Sequence, residues 1–196
     1  MPEGPEVKRT AEGLARAMTN KTITNVEILS GRYTKELPGG IEEFRTSLPI
    51  KVVGAGCHGK FIFALCTNES FIWSTLGMTG YWNVEGGKYA RIRLDFSDGS
   101  YVHFNDMRNF GTMKFVKGKH EMVKKLKSLG PDMLAEDVSN HKFKEALMKR
   151  PKWSLAKALM KQDLVCGIGN YIKADSLWLA KLSPHRTVES LSDVEF

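Results

Sequence analysis

The sequence has no apolar run approaching the ~20 residues that a membrane-spanning helix needs, and its start is too polar for a signal peptide. Neither a membrane protein nor a secreted precursor is expected, which leaves an intracellular protein. Cysteine is scarce. Cys57, Cys66 and Cys166 are the only three and include no CxxC pair, so neither a disulfide framework nor a structural zinc site is indicated. Cys57, His58 and Cys66 lie close in sequence, but their spacing fits no standard zinc pattern. Internal repeats and low-complexity segments are also missing, which removes solenoids and long linkers from consideration.

What is present is a chain of 196 residues, 42% apolar and 26% charged. That is the composition of a soluble globular protein with one large domain or two small ones. The net charge of +7 is uneven: residues 1–130 hold 19 Lys and Arg against 13 Asp and Glu, whereas residues 131–196 hold 10 against 9. A basic first part suggests a polyanionic partner, most simply nucleic acid.

Hydrophobic spacing divides the chain. Val7, Ala11, Leu14 and Met18 recur at helical intervals after Pro5, which suits a first-turn position. TITNVEIL, IKVVGAG, KFIFALC and SFIWSTL then follow as strand-like segments. In RIRLDF-SDGS-YVHF, Ile92, Leu94 and Phe96 alternate with Arg91, Arg93 and Asp95, and Asp98-Gly99 marks a hairpin turn. Many short strands broken by turns predict a β-sandwich or barrel. After SLGPDML, the segments HKFKEALMKR, SLAKALMK and NYIKADSLWLAK look helical. The expected class is α+β, with a β-rich domain over 1–130, flanked by helices, and a helical domain over 131–196.

Four stretches carry candidate chemistry. The chain opens MPEGPEVKR. An initiator Met before Pro is removed in most proteins, so the mature chain is expected to start at Pro2, a secondary amine. A free α-amine titrates near pH ~8, and the positive end of the following helix disfavours its charged form further. Glu3 and Glu6 lie beside it as proton handlers. The same residues also read as a plain N-capping sequence with acidic residues in the first turn. In GIGN (167–170), Gly167 and Gly169 permit a turn whose N–H groups face a phosphate, with Asn170 as an added donor; a packing turn between helices is the alternative. In NDMRNFGT (105–112), Arg108 and Phe110 share a side on extended backbone and could enter a base stack, or could be a surface Arg beside a core Phe. Met78 in LGMTG is a flexible wedge or core filling. Lys60 in HGKF is a phosphate contact or an exposed residue at a strand end.

Together these stretches resemble one family. PEGPEV, HGKF, LGMTG, DMRNFG, SLGPD, GIGN and SLWLAKLSPHR occur in the order and approximate spacing of the Fpg/Nei DNA glycosylases, from Pro2 to about Leu191. The resemblance implies an N-terminal β-sandwich followed by a helix–two-turns–helix domain. It implies an enzyme that removes oxidised bases from double-stranded DNA and cleaves abasic sites by Schiff-base chemistry and β,δ-elimination. Pro2 would be the nucleophile and Glu3 the acid at the sugar ring, with Glu6 supporting them. Lys60 and Asn170 would hold phosphates flanking the lesion. Met78, Arg108 and Phe110 would fill the gap left by the everted nucleotide. Gly169 belongs to the DNA-binding turn, and Asp175 stands where many members have Glu in the turn after GIGN.

No metal or organic cofactor is expected in the reaction, and a monomer is expected. The family's C-terminal finger, zinc-bound in most members, has no counterpart before Phe196 and no zinc ligands in this chain. That leaves a non-catalytic module binding damaged DNA as the alternative. A ribosomal-type RNA binder is disfavoured by the β-rich half and the wedge positions.

Overall fold

The computed structural model describes residues 1–134 and 138–196. Helix α1 (Gly4–Met18) opens the chain and buries Val7, Ala11, Leu14 and Met18 as one apolar stripe. Strand β1 (Thr22–Ile28) and helix α2 (Ile41–Thr46) follow. Then come β2 (Ile50–His58), β3 (Phe61–Cys66), β4 (Ser70–Thr75), β5 (Gly80–Asn83), β6 (Ala90–Phe96), β7 (Tyr101–Asp106) and β8 (Thr112–Lys117). Helix α3 (Lys119–Lys127) ends this part. Of these, α2, α3, β5 and β8 add to the segments legible by pattern.

The strands form one antiparallel ladder in the order β5-β7-β6-β1-β2-β3-β4-β8. Strand β2 is its corner: Ile50 and Lys51 pair with β1, and Val52 to His58 pair with β3. The two halves of the ladder share a single core. Ile92, Leu94 and Phe104 from one half meet Ile62, Ile72 and Phe115 from the other, with the α1 stripe among them. This is the expected sandwich.

The β3–β4 half is covered on both faces. Ile62, Ala64 and Cys66 point into the main core, while Phe61, Phe63 and Leu65 pack with Met122 and Leu126 of α3. FIFALC reads as a continuous apolar run for that reason. The hairpin after β6 turns at Gly99 (φ +80°), where the Ser100 N–H donates to Asp98 Oδ1 at 3.0 Å.

Helices α4 (Asn140–Met148), α5 (Leu155–Leu159) and α6 (Asn170–Leu179) build a second core around Leu147, Leu155, Ala158, Val165, Leu177 and Val188. Consecutive turns between α5 and α6 give the helix–two-turns–helix arrangement. Among the described residues, no helix is long and apolar enough to cross a membrane, and no three His, Cys, Asp or Glu side chains are grouped so that they could hold a metal ion.

Phe104 is 1% exposed and packs against Trp82, the ring centroids 5.4 Å apart. Phe104→Ala should therefore cost about 3–5 kcal/mol, seen in urea titration as a lower midpoint at unchanged slope. Phe110 is 54% exposed, and Phe110→Ala should stay within about 0.5 kcal/mol of the parent.

Candidate active site

The chain terminus meets the start of α6. The first N–H groups of a helix have no partner inside it, and a carboxylate is stabilised there. Glu3, only 1% exposed, supplies that carboxylate. It accepts the N–H of Gly169 at 2.7 Å, of Tyr171 at 2.9 Å and of Ile172 at 3.2 Å. Next to it, the Gly4 N–H donates to the Gly167 carbonyl at 2.8 Å. Glu6, in the first turn of α1, accepts the Glu3 N–H at 2.9 Å. MPEGPE is thus an N-terminal helix cap, and at the same time the clasp that joins the chain's two cores.

Gly169 is required by contact. A Cβ there would lie 2.2 Å from Glu3 Cδ and 2.6 Å from Lys60 Nζ. The ammonium of Lys60 is therefore beside the Glu3 carboxylate, half-buried; the open position at a strand end does not hold. Burial lowers the Lys60 pKa, and the charge on Glu3 opposes that fall. The turn that delivers Lys60 is just as tight. Gly59 (φ +56°) would place a Cβ 2.4 Å from Cys166 Cβ. Its N–H donates to Asp132 Oδ2 at 2.9 Å, and the His58 ring bonds the Gly130 carbonyl at 2.8 Å. A cavity of about 290 Å³ opens here, bordered by Pro2, His58, Lys60, Leu76, Gln162 and Cys166.

Two loops stand together at a second edge. Met78 is in the turn from β4 to β5, and Arg108 and Phe110 are in the bend between β7 and β8. Asp106, fully buried, ties the loops: it accepts the Thr79 hydroxyl, the Arg108 N–H at 3.2 Å and the Gly111 N–H at 2.7 Å. Gly77 (φ +57°) would place a Cβ 2.6 Å from the Gly111 nitrogen. Arg91, also buried, donates to the Asp106 carbonyl at 2.7 Å. Met78 and Phe110 stand 42% and 54% exposed, so neither is core filling.

The extended backbone expected over 108–110 is corrected. Asn109 adopts φ +57° and reverses the chain. Arg108 and Phe110 meet nonetheless, the guanidinium 4.9 Å from the ring centroid, because the bend folds one over the other. Asn109 itself turns inward, with Oδ1 buried.

Asn170 is exposed as the first residue of α6, its side-chain oxygen accepting from Lys173 Nζ at 2.8 Å. Asp175 is exposed but does not occupy a turn after GIGN. The helix begins directly at Asn170, which puts position 175 in its second turn. Pro2, Glu3, Glu6, Lys60, Gly169 and Asn170 are thus brought together, and Met78, Arg108 and Phe110 form a separate group. Pattern reading missed Gly59, Asp106, Asp132 and Tyr171. Asp106 and Asp132 lie inside DMRNFG and SLGPD, so an acid within a motif was the available signal.

Comparison with known proteins agrees along the whole chain. The formamidopyrimidine-DNA glycosylase N-terminal domain matches residues 1–113, and the H2TH domain of the same glycosylase matches residues 129–196. Formamidopyrimidine-DNA glycosylase of Streptococcus pneumoniae serotype 4 is 33% identical over 100% of this chain and 72% of its own length. That of Mycoplasma mobile is 32% identical over 98% of this chain and 71% of its own. The Lactococcus lactis enzyme, solved non-covalently bound to DNA containing an AP site, superimposes with a TM-score of 0.84 at 25% identity, over 98% of this chain and 75% of that one. The MutM (Fpg) protein of Thermus thermophilus gives a TM-score of 0.83 at 27% identity, over 99% of this chain and 70% of that one.

Gly169→Ala should break the clasp, because its Cβ would displace Glu3 or Lys60 from the shared site. A loss of at least ~1–3 kcal/mol of stability is expected. Gly87→Ala is the control, since nothing lies within 4 Å of a Cβ there. Equal melting of the two variants would contradict the contact role of Gly169.

Proposed function

The chain belongs to the formamidopyrimidine-DNA glycosylase family, and from that premise we propose how its own residues carry out base excision. It is a base-excision-repair glycosylase with AP-lyase activity, acting on double-stranded DNA that contains oxidised bases or abasic sites. One observation supports the assignment of residues above all: Pro2 precedes a buried carboxylate that is fixed on α6, with Lys60 beside it.

The reaction needs Met1 removed, which leaves Pro2 with a secondary amine. Met1 is 52% exposed and open to processing. The target carbon, C1′ of the deoxyribose, is inaccessible inside a duplex, so the nucleotide must be everted. Unstacking costs a few kcal/mol, and Met78, Arg108 and Phe110 offset part of it by occupying the vacated space. Lys60 and Asn170 take the flanking phosphates.

The Pro2 amine attacks C1′, and the base departs with the bonding pair and is protonated by water. The Glu3 carboxylate takes the proton that the attacking nitrogen sheds and delivers it to the ring oxygen as the C1′–O bond opens, giving an iminium between Pro2 nitrogen and C1′. The cationic nitrogen draws electrons, so a C2′ proton is lost and the 3′ phosphate leaves. A second elimination frees the 5′ phosphate. Hydrolysis then returns Pro2. A non-catalytic module that only binds damaged DNA is not favoured, since binding alone has no need of a terminal secondary amine.

Borohydride should reduce the iminium to a stable protein–DNA adduct on Pro2. Any N-terminal extension should abolish it, because an amide nitrogen has no basic lone pair. Glu3→Gln should slow excision of an intact damaged base by ~10²-fold or more, while cleavage of a pre-formed abasic site survives better. A crosslink mapped to Lys60 or another lysine would contradict the mechanism.

The wedge makes its own prediction. Phe110→Ala and Arg108→Ala should lose more activity on duplex than on single-stranded substrate, where no stack has to be broken. Equal losses on both substrates would remove these residues from the wedge.

A further inference from the structure

Tyr171 takes no part in the mechanism above, yet it is bonded at both ends to the residues that follow Pro2. Its backbone N–H donates to Glu3 Oε1 at 2.9 Å. Its hydroxyl reaches back across the clasp to Glu6, 2.8 Å from Oε1 and 3.0 Å from Oε2. Glu6 Oε2 accepts the Glu3 N–H at 2.9 Å. The hydrogen bonds close a ring: Tyr171 to the Glu3 carboxylate through its N–H, Tyr171 to Glu6 through its hydroxyl, and the Glu3 N–H back to Glu6.

The ring constrains what the other contacts leave free. The bonds from α6 to the Glu3 side chain fix its carboxylate, and the Gly4–Gly167 bond fixes the chain one residue later. The peptide between Pro2 and Glu3, which sets the direction of the Pro2 nitrogen, is held through its N–H, and Glu6 is what holds it. Glu6 is an exposed side chain with three rotatable bonds. Left alone it would lose rotamer freedom to hold that N–H; the Tyr171 hydroxyl fixes it from the other side. Tyr171 is itself 42% exposed and belongs to neither apolar core, so packing does not account for it.

We propose that Tyr171 is a positioning residue for the reaction, acting through Glu6 to orient the Pro2 nitrogen toward C1′ of the everted sugar. The proposal rests on the assignment of Pro2 as nucleophile. The protonation states suit the ring. Desolvation opposes ionisation of Glu6, but the Glu3 N–H and the Tyr171 hydroxyl together hold its carboxyl below the usual range. Local desolvation and the bond to Glu6 push the Tyr171 phenol up to about 12. The acceptor is therefore charged, and the donor keeps its proton, throughout the neutral range. Attack requires a near-linear approach at about 3–3.5 Å, and displacement by ~1 Å costs on the order of 10²-fold. A partly loosened terminus should cost less than that.

Tyr171→Phe removes only the hydroxyl and leaves the N–H on Glu3 in place. With borohydride and an abasic-site duplex, the trapping rate constant at saturating DNA should fall about tenfold. The DNA concentration giving half the maximal rate should stay within about twofold, because no DNA contact is lost. Glu6→Ala should show the same loss, and the double variant should trap no more than about twofold slower than Glu6→Ala alone, as expected when one residue acts through the other. A parental rate in Tyr171→Phe, losses that multiply in the double variant, or a loss confined to the half-saturating concentration would each overturn the proposal. Trapping on Pro2 by the parent protein tests the nucleophile separately, so failure of one assignment is not mistaken for failure of the other.

Discussion

The architecture depends on one buried carboxylate. Removing a charge from water is unfavourable by several kcal/mol unless its partners replace the lost hydration. Glu3 finds them in the N–H groups of α6, which themselves lack acceptors within the helix. Each side completes the other's hydrogen bonding, and neither can do so from within its own half of the chain. The two hydrophobic cores share no residues, yet at this point they are bound through a charge, and the proposed nucleophile is one peptide bond away. Stability and chemistry therefore draw on the same interaction.

The clasp and the wedge are built alike. In each, a buried acid gathers donors from two segments: Glu3 takes backbone N–H groups of α6, and Asp106 takes N–H groups of its own bend together with the Thr79 hydroxyl of the facing loop. In each, glycines permit close approach: Gly59 lets its main chain meet that of Gly167, Gly169 lets its main chain meet the Glu3 and Lys60 side chains, and Gly77 lets its main chain meet that of Gly111. Backbone has little freedom to rearrange once so placed. Side chains proposed to enter DNA, such as Phe110, can then be exposed without being loose at their base.

Much of this was legible in the sequence, for physical reasons that differ by region. The α1 stripe and the β6–β7 hairpin follow from local spacing and turn chemistry, which neighbours do not override. The partners of PEGPE could not be read by spacing, because a hydrogen bond between Glu3 and Gly169 spans nearly the whole chain. Only the joint presence of several motifs linked them. Arg91 occupies an outward position by alternation, yet it is buried, since Ser30 and Gly31 after β1 and the bend after β7 close over that face. Asn109 escaped pattern reading because left-handed backbone at a non-glycine residue has no hydrophobic period. Tyr171 lies within a segment read only as helical; what distinguishes it is which residue its hydroxyl reaches.

The long span of the Glu3–Gly169 bond also orders events during synthesis. Its partners are separated by 166 positions. At about 5–20 residues per second, α6 is translated on the order of ten to thirty seconds after the terminus. Throughout that interval the α1 stripe can pack on the strands, but the Glu3 carboxylate has no α6 from which to accept, and Met1 stays unclasped and available to an aminopeptidase. Once α6 emerges from the ribosome the terminus can be drawn in beside Lys60. The vectorial order of translation thus sets trimming before docking, and the amine is uncovered before the surface that will direct it exists.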